Sequence, residues 1–268
     1  MLTTQGQRQS FNENGYIVIP GLFSVAEIDR LNSDMIELET ESLVADAQGR
    51  NKGGMVVEDS DTPRLQFDIH RSGTGFDLLS RHPRMAGIVQ EVLGVPAYVY
   101  HSKLAFKAAF MGSVQFWHQD FGYWIGAKHP NPTMASCLVM LDRHTEDNGC
   151  MQVLSGSHRE GVVPHDPCPR ESTGDGQLRI PAAAMSGFVQ KYERIKFIGE
   201  PGDFAVWHCN TMHASAHNIS ENSRHAAIMA YNAVGNYDPV NPIGADSPWG
   251  AECDTPIELC DDGALSVP

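Results

Sequence analysis

The stretch that decides the fold is Gln115-Phe116-Trp117-His118-Gln119-Asp120-Phe121-Gly122-Tyr123-Trp124. It places a His-x-Asp pair inside a run of bulky aromatic residues, which is typical of a β-strand. Side chains at positions i and i+2 of a strand point to the same face, so we expect His118 and Asp120 to share one side. An imidazole nitrogen beside a carboxylate oxygen supplies two of the three ligands in the facial triad of non-haem Fe(II) proteins. Because His-x-Asp pairs are also common by chance, this interpretation requires a third ligand from another strand.

The third ligand is expected between residues 207 and 220, where three histidines occur. We favour His213, because it follows a predicted strand and precedes a turn. Beyond the turn, Arg224 opens an apolar strand, so a hairpin can bring this arginine alongside His213. The other two histidines, His208 and His217, are interpreted as packing or surface residues.

Arg224 suits a carboxylate partner, because the planar guanidinium forms two parallel hydrogen bonds with both oxygens and stays charged at physiological pH. Ser215 lies two residues from His213 and can add a hydroxyl donor to the same carboxylate. A small dicarboxylate could then chelate iron at one end and bind arginine at the other. 2-Oxoglutarate has this shape.

The composition excludes some classes of partner. The chain has 268 residues and a formal net charge of −14, which disfavours binding to nucleic acid or anionic lipid. No apolar run approaches the length of a membrane span, and no signal-peptide pattern opens the chain, so we expect a cytoplasmic protein. The cysteines show no CxxC pair, so we expect free thiols at Cys137, Cys150, Cys168, Cys209, Cys253 and Cys260.

Short strands separated by turns are predicted between residues 96 and 235, as in a β-sandwich or barrel. These strands are expected at 97–107, 114–121, 134–141, 150–154, 194–198, 203–208 and 225–232. The segment 156–202 contains several prolines and glycines and a helix-like stretch at 182–190, so it is interpreted as an insertion over one end of the sheets.

Residues 1–95 are predicted to be mainly helical. The helices are expected at about 5–13, 24–40 and 76–93, with a short strand at 16–20. Ser24 and Glu27 have the spacing of a capping box at the start of the second helix. The polar, glycine-containing stretch 44–75 is either a lid-like loop over a site or a plain surface loop. We predict a single domain over 1–268 that ends in an irregular tail, 236–268.

The chain also carries an ordered set of short motifs. They are Phe11-x3-Gly15-Tyr16, His118-x-Asp120, Asn148-Gly149-Cys150, Gly156-Ser157-His158, Gly202-Asp203, His213-x-Ser215-x-x-Asn218 and Arg224. This set, which extends over about residues 8–233, resembles the phytanoyl-CoA dioxygenase family of Fe(II)/2-oxoglutarate oxygenases. The segments 209–213 and 231–233 are similar to the branch that contains ectoine and free amino-acid hydroxylases. The resemblance implies a mainly β fold with flanking helices, a cupin-like double-stranded β-helix or jelly roll with its core over 96–235.

The resemblance also implies roles for individual residues. His118, Asp120 and His213 become the iron ligands, and Arg224 with Ser215 binds the distal carboxylate of 2-oxoglutarate.

The resemblance also implies roles for a residue on the strand before the His118-x-Asp120 motif and for two residues just after the motif. Lys103 is expected to make additional cosubstrate contacts. Trp124 matches an aromatic residue that lines the substrate pocket, and its neighbour Tyr123 is a second candidate for substrate contact. The chain departs from the pattern at Ala105, where ectoine and leucine hydroxylases carry an asparagine that helps to hold 2-oxoglutarate.

The reaction implied by the resemblance converts 2-oxoglutarate and O2 to succinate and CO2, with hydroxylation of an unactivated C–H bond. Asp120 favours hydroxylation over halogenation, because the related halogenases lack this carboxylate. We expect a free small metabolite such as an amino acid or a similar zwitterion. A coenzyme A thioester would need clustered basic residues, whereas those available are scattered at Arg159, Arg170, Arg179, Lys191, Arg194 and Lys196.

Two other functions remain open from the residues alone. Two histidines and one carboxylate with an open position also suit a zinc-dependent hydrolase. A non-catalytic jelly-roll binding module would keep the fold without the reaction. The sequence does not indicate an oligomeric state.

Overall fold

A computed structural model describes residues 1–47, 55–58, 62–125, 129–168, 177–237 and 255–266. Two antiparallel sheets face each other across a central cavity. The larger sheet has the order β1 (Tyr16–Ile19), β11 (Phe204–His208), β6 (Met134–Met140), β13 (Arg224–Ala233), β4 (Ala97–Lys107), β3 (Thr62–Phe67) and β2 (Met55–Glu58). The smaller sheet has the order β10 (Arg194–Lys196), β7 (Met151–Leu154), β12 (His213–Ser215) and β5 (Gln115–His118). A separate short pair is formed by β8 (Asp166–Pro167) and β9 (Leu178–Arg179). This arrangement confirms the predicted jelly roll.

Helices flank the sheets, as predicted. They are α1 (Gln5–Asn14), α2 (Val25–Ala47), α3 (Gly75–Ser80), α4 (Ile88–Leu93), α5 (Asp120–Trp124) and α6 (Ala182–Lys191). The capping box at the start of α2 is confirmed, because the Ser24 amide donates to Glu27 Oε2 at 2.8 Å and the Glu27 amide donates back to Ser24 Oγ at 3.4 Å. The helix expected at 76–93 is divided into α3 and α4 by a π-helical turn over Pro83–Gly87.

Three expectations about local structure were wrong. The second helix continues to Ala47 instead of ending near residue 40, since its last turns consist mainly of good helix formers. The stretch 44–75 is not one long loop, because β2 and β3 form a hairpin that extends the larger sheet beyond β4. The strand predicted at 114–121 ends at His118, and α5 begins at Asp120.

The pleat of β4 separates the core from the cavity. Leu104 and Phe106 are buried in a core shared with the helices, although Phe106 also borders the cavity. Lys103, Ala105 and Lys107 line the cavity on the other face. Side-chain alternation along a strand explains this division. The strand therefore supplies packing to one side and functional groups to the other.

The C-terminal tail, 236–268, was predicted to be irregular. Within the tail, residues 255–266 pack on the core, where Leu265 is buried and the Ile257 amide donates to the Ala97 carbonyl at 2.9 Å. The remainder of the tail, 238–254 and 267–268, lies outside the described residues.

The jelly-roll core was predicted to begin at residue 96, but β1, β2 and β3 precede this boundary and belong to the larger sheet. The division of the domain into parts stays a prediction.

The described part of the chain contains no helix with the length and apolar character needed to cross a bilayer. Its cysteines are free thiols, as expected, at Cys137, Cys150, Cys168, Cys209 and Cys260. Cys253 lies outside the described residues.

The Gly202→Ala substitution is expected to destabilise the protein by about 2–4 kcal/mol. Gly202 has a φ of +94°, and an added Cβ would lie 2.2 Å from the Phe23 carbonyl oxygen. Urea denaturation followed by circular dichroism measures the free energy of unfolding.

Gly21→Ala is the matched control. Gly21 also has a positive φ, +59°, but no heavy atom lies within 4 Å of an added Cβ. We expect this control to cost about 1 kcal/mol, which is the backbone cost alone. Equal losses in the two variants would show that the contact with Phe23 does not matter.

Candidate active site

Three potential ligand side chains meet at the wall of the central cavity. Asp120 Oδ1 lies 3.8 Å from His118 Nε2 and 3.6 Å from His213 Nε2. The three ligand atoms lie within 4.8 Å of one another, and all three residues are buried. The structure therefore brings together the residues that the sequence pattern predicted as a triad.

The backbone explains why His118 and Asp120 point to one side although they do not share a strand. Gln119 between them has extended dihedral angles, φ −113° and ψ 137°. Alternation therefore persists through this residue, and the helix begins only at Asp120. The Gln119 side chain stabilises this connection between β5 and α5. Its amide nitrogen donates to the carbonyls of Gly161 at 2.6 Å and Asn210 at 2.8 Å.

His213 reaches the triad from β12, a strand that was not predicted. In the smaller sheet His213 is the register partner of His118, and the two imidazole centroids lie 4.1 Å apart. His213 was predicted to follow a strand and precede a turn, and β12 is only three residues long, too short to stand out in the sequence. Strand pairing between β5 and β12 brings the two imidazoles together.

Hydrogen bonds determine the tautomers of both histidines. His118 Nδ1 lies 2.6 Å from the Phe116 carbonyl oxygen, and His213 Nδ1 lies 2.9 Å from the Thr211 carbonyl oxygen. A carbonyl only accepts, so each neutral imidazole carries its proton on Nδ1. The lone pair of each Nε2 is then available to a metal, which is the usual arrangement of metal-binding histidines.

Asp120 is oriented by two donors from the larger sheet. Its Oδ2 accepts hydrogen bonds from Ser136 Oγ at 2.7 Å and Trp207 Nε1 at 2.9 Å. Burial acts to raise the Asp120 pKa, but the nearby histidines and Lys103 outweigh burial and lower the pKa to about 2. The carboxylate is therefore ionised, with Oδ1 directed toward the imidazoles.

Sequence reasoning missed both of these donors. Ser136 and Trp207 are register partners on β6 and β11, so they approach Asp120 from the same face of the sheet. No local motif marks a serine that donates to a carboxylate sixteen positions earlier in the chain. The available signal was the alternation of β11, which predicts that Trp207 and its second neighbours share a face.

The cavity has a volume of about 90 Å³, several times the space that one water needs. Its described lining contains one acidic side chain, Asp120, and several basic ones. The cationic residues are Arg64, Lys103, Lys107 and Arg224, whereas burial lowers the pKa of His101 to about 3 and leaves this imidazole neutral. The chemistry of the cavity therefore favours an anionic ligand.

Arg224 is one of these cations and is buried. It begins β13, its residue is 6% exposed, and it lines the cavity together with Ser215. Burial lowers the Arg224 pKa to about 10, so the guanidinium is charged at neutral pH. Its Nε is buried and has no hydrogen-bond partner among the described residues. A buried guanidinium N–H that lacks a hydrogen-bond partner is costly, so this position fits a carboxylate ligand.

The other predicted residues have different positions. Lys103 lines the cavity, as does Ala105 on the same strand. Trp124 is buried behind the lining, where its ring packs 5.5 Å from the His101 ring. Tyr123 is 37% exposed, and its ring lies 5.5 Å from the His118 ring. The roles of Trp124 and Tyr123 in substrate contact stay predictions.

The donor set fits iron and 2-oxoglutarate. Two imidazole nitrogens with free lone pairs and one ionised carboxylate are the ligands of a non-haem Fe(II) facial triad. The orphaned Nε of Arg224 in the same cavity fits the distal carboxylate of a keto diacid.

Comparison with known proteins agrees with this chemistry. The family model of phytanoyl-CoA dioxygenase (PhyH) matches residues 11–226. An ectoine dioxygenase from Stutzerimonas stutzeri is 30% identical over 236 residues, which cover 85% of this chain and 76% of the relative. An ectoine dioxygenase from Nocardia farcinica is 26% identical over 251 residues, which cover 90% of this chain and 82% of the relative.

Solved structures show the same fold. EctD from S. alaskensis with bound Fe has a TM-score of 0.76 at 25% identity and covers 96% of this chain and 87% of its own. EctD with 2-oxoglutarate and 5-hydroxyectoine has a TM-score of 0.73 at 26% identity, with coverage of 88% and 78%. The carbocyclase SnoK from nogalamycin biosynthesis shares the fold at a TM-score of 0.63 and 21% identity, with coverage of 87% and 85%. Because the family match includes the three clustered ligands and Arg224, the chain belongs to the phytanoyl-CoA dioxygenase family.

Proposed function

We propose that the cavity formed by His118, Asp120, His213 and Arg224 is the active site of an Fe(II)- and 2-oxoglutarate-dependent dioxygenase that hydroxylates a small metabolite. The enzyme class and its cofactors are those predicted from the sequence, and the dioxygenase relatives with their iron and 2-oxoglutarate complexes confirm them. The observation that carries the assignment of the site is the triad in one cavity with a buried, unpartnered arginine nitrogen.

The residues of the chain divide the work of the reaction. His118, Asp120 and His213 would hold Fe(II), and Arg224 with Ser215 would bind the distal carboxylate of 2-oxoglutarate. When bound, iron and 2-oxoglutarate supply the oxidising chemistry that uses O2, releases succinate and CO2, and hydroxylates an unactivated C–H bond.

The protein's part in this reaction is positioning and desolvation. The hydrogen bonds from the two Nδ1 atoms and to Asp120 Oδ2 hold the ligand atoms in place before the metal arrives. The buried setting around Asp120 excludes bulk water from the reacting centre.

The substrate is proposed only by class. Ectoine is the first compound to test, because several relatives are named ectoine dioxygenases. Ala105 departs from the pattern of that branch, so free amino acids belong in the same screen. The relatives named above are dioxygenases, not zinc hydrolases or binding modules, and therefore do not support those alternatives. The expected cytoplasmic location and the expected lack of a nucleic-acid partner stay predictions.

His213→Ala is expected to lower succinate formation from 2-oxoglutarate at least about 100-fold, because the metal loses one of its three protein ligands. Succinate is measured with Fe(II), ascorbate and O2 present, and iron binding is measured separately without oxygen. His217→Ala is the matched control, since His217 is an exposed histidine four residues away. A His213→Ala protein that binds iron and turns over like the control would rule out this ligand assignment.

Arg224→Gln is expected to raise the KM for 2-oxoglutarate about 10- to 100-fold, because one charge-assisted carboxylate contact is lost. Arg224→Lys keeps the charge but not the planar fork, so its KM should fall between the two. The exposed residue Arg194, changed to Gln, is the control for a loss of positive charge. If Arg224→Gln and Arg194→Gln have the same KM, the carboxylate is bound elsewhere.

A further inference from the structure

Arg64 is a cation of the cavity to which neither the sequence pattern nor the proposed function gives a role. It lies on β3, lines the cavity and is 5% exposed. Its guanidinium therefore stands in the cavity wall, where it can donate to an anionic ligand.

A β-bulge explains how Arg64 reaches the cavity. Between β2 and β3, Val56 pairs with Leu65 and Val57 pairs with Pro63, so Arg64 is the extra residue that has no register partner. A bulge changes the direction of a side chain, and bulges occur often beside active sites. Leu65 lines the cavity by regular alternation, and the bulge allows its neighbour Arg64 to line it as well.

The register places Arg64 at the level of the proposed cosubstrate site. Leu65 is the partner of Ala105, which lies on the cavity-facing side of β4 and offers only a methyl group. Two residues further along β4, Lys107 is the partner of Arg224. At the Ala105 position β4 presents only a methyl group to the cavity, and Arg64 follows on the neighbouring strand, next to Leu65, the partner of Ala105.

The guanidinium of Arg64 also reaches the opposite sheet. Its Nη2 donates to the Val114 carbonyl at 3.3 Å and to Gln115 Oε1 at 3.4 Å. Gln115 in turn is the register partner of Ser215, the hydroxyl proposed to bind the distal carboxylate. Because Gln115 accepts this hydrogen bond through its oxygen, its amide NH2 remains a donor.

From this placement we infer that Arg64 and Gln115 form a second carboxylate-binding arm, which grips the distal carboxylate of 2-oxoglutarate opposite Arg224. The inference rests on the proposed function, because it names a further binding residue for the same cosubstrate. In this arrangement the carboxylate lies between two guanidinium groups from different strands, β3 and β13. Its donors come from both sheets, so the ligand connects them.

The experiment compares two keto acids without turnover. 2-Oxoglutarate has the distal carboxylate and pyruvate lacks it, while both present the same 2-oxo acid end to the metal. Their affinities are measured by calorimetry on the Fe(II) protein without oxygen. Arg64→Gln is expected to weaken 2-oxoglutarate binding about 10- to 100-fold and to change pyruvate binding less than about threefold.

Two further variants complete the test. Arg64→Lys should recover part of the lost affinity, because the charge remains while the planar fork is absent. Arg71→Gln is the matched control, since Arg71 is an exposed arginine seven residues away and does not line the cavity. Thermal unfolding of each variant shows whether a loss of affinity reflects a loss of fold, and the unfolding temperature of Arg64→Lys provides the comparison if Arg64→Gln is unstable.

The outcomes separate this inference from the proposed function. An Arg64→Gln protein that binds 2-oxoglutarate as the Arg71→Gln control does would overturn the inference alone. Equal weakening of pyruvate and 2-oxoglutarate would also overturn it, since Arg64 would then act at the metal end or on the fold. A natural-sequence protein that binds neither iron nor 2-oxoglutarate would reject the proposed function itself.

Discussion

The arrangement of the active site depends on one buried carboxylate, Asp120, whose two oxygens have different partners. Oδ2 accepts hydrogen bonds from Ser136 and Trp207 on neighbouring strands of the larger sheet. Oδ1 is thereby directed toward His118 and His213, whose strands pair in the smaller sheet. A single side chain therefore couples the two sheets at the cavity. Because Trp207 is also part of the packing between the sheets, a shift in that packing would move the carboxylate relative to both imidazoles.

Local signals in the sequence were sufficient for much of the fold and for the triad. Helix caps depend on residues a few positions apart and can be predicted from the sequence. Examples are the capping box of Ser24 with Glu27 and the left-handed glycine Gly15, which ends α1. Asp120 was expected in a strand and instead begins a helix. The Asp120 side chain nevertheless points to the face that was predicted. The direction of a side chain relative to the residue two positions earlier depends mainly on the backbone between them, and Gln119 is extended. Helical geometry begins too late to turn Asp120 away.

Features that depend on the pairing of distant segments could not be predicted. The position of the β2–β3 hairpin is determined by the pairing of β3 with β4. The register of this pairing cannot be predicted from residues 55–67 alone. The same limit applies to Ser136, whose role appears only when its strand lies beside β11. Trp124 shows the converse case, because its aromatic character is equally suitable for a substrate pocket and for packing. Its position behind His101 depends on where β4 passes, which sequence spacing does not reveal.

The contrast between an acidic chain and a basic cavity follows from the same register. A net charge of −14 determines the long-range field, whereas Lys103 and Lys107 act at short range inside the protein, where screening is weak. Both lysines occupy the cavity-facing positions of β4, and the intervening Leu104 and Phe106 pack against the helices. A slip of one residue in the pairing of β4 would exchange these faces, and it would bury the charges in the core and expose the apolar groups to the cavity. The hydrophobic core thus specifies the register, and the register in turn places the cations where a small dianion can reach them.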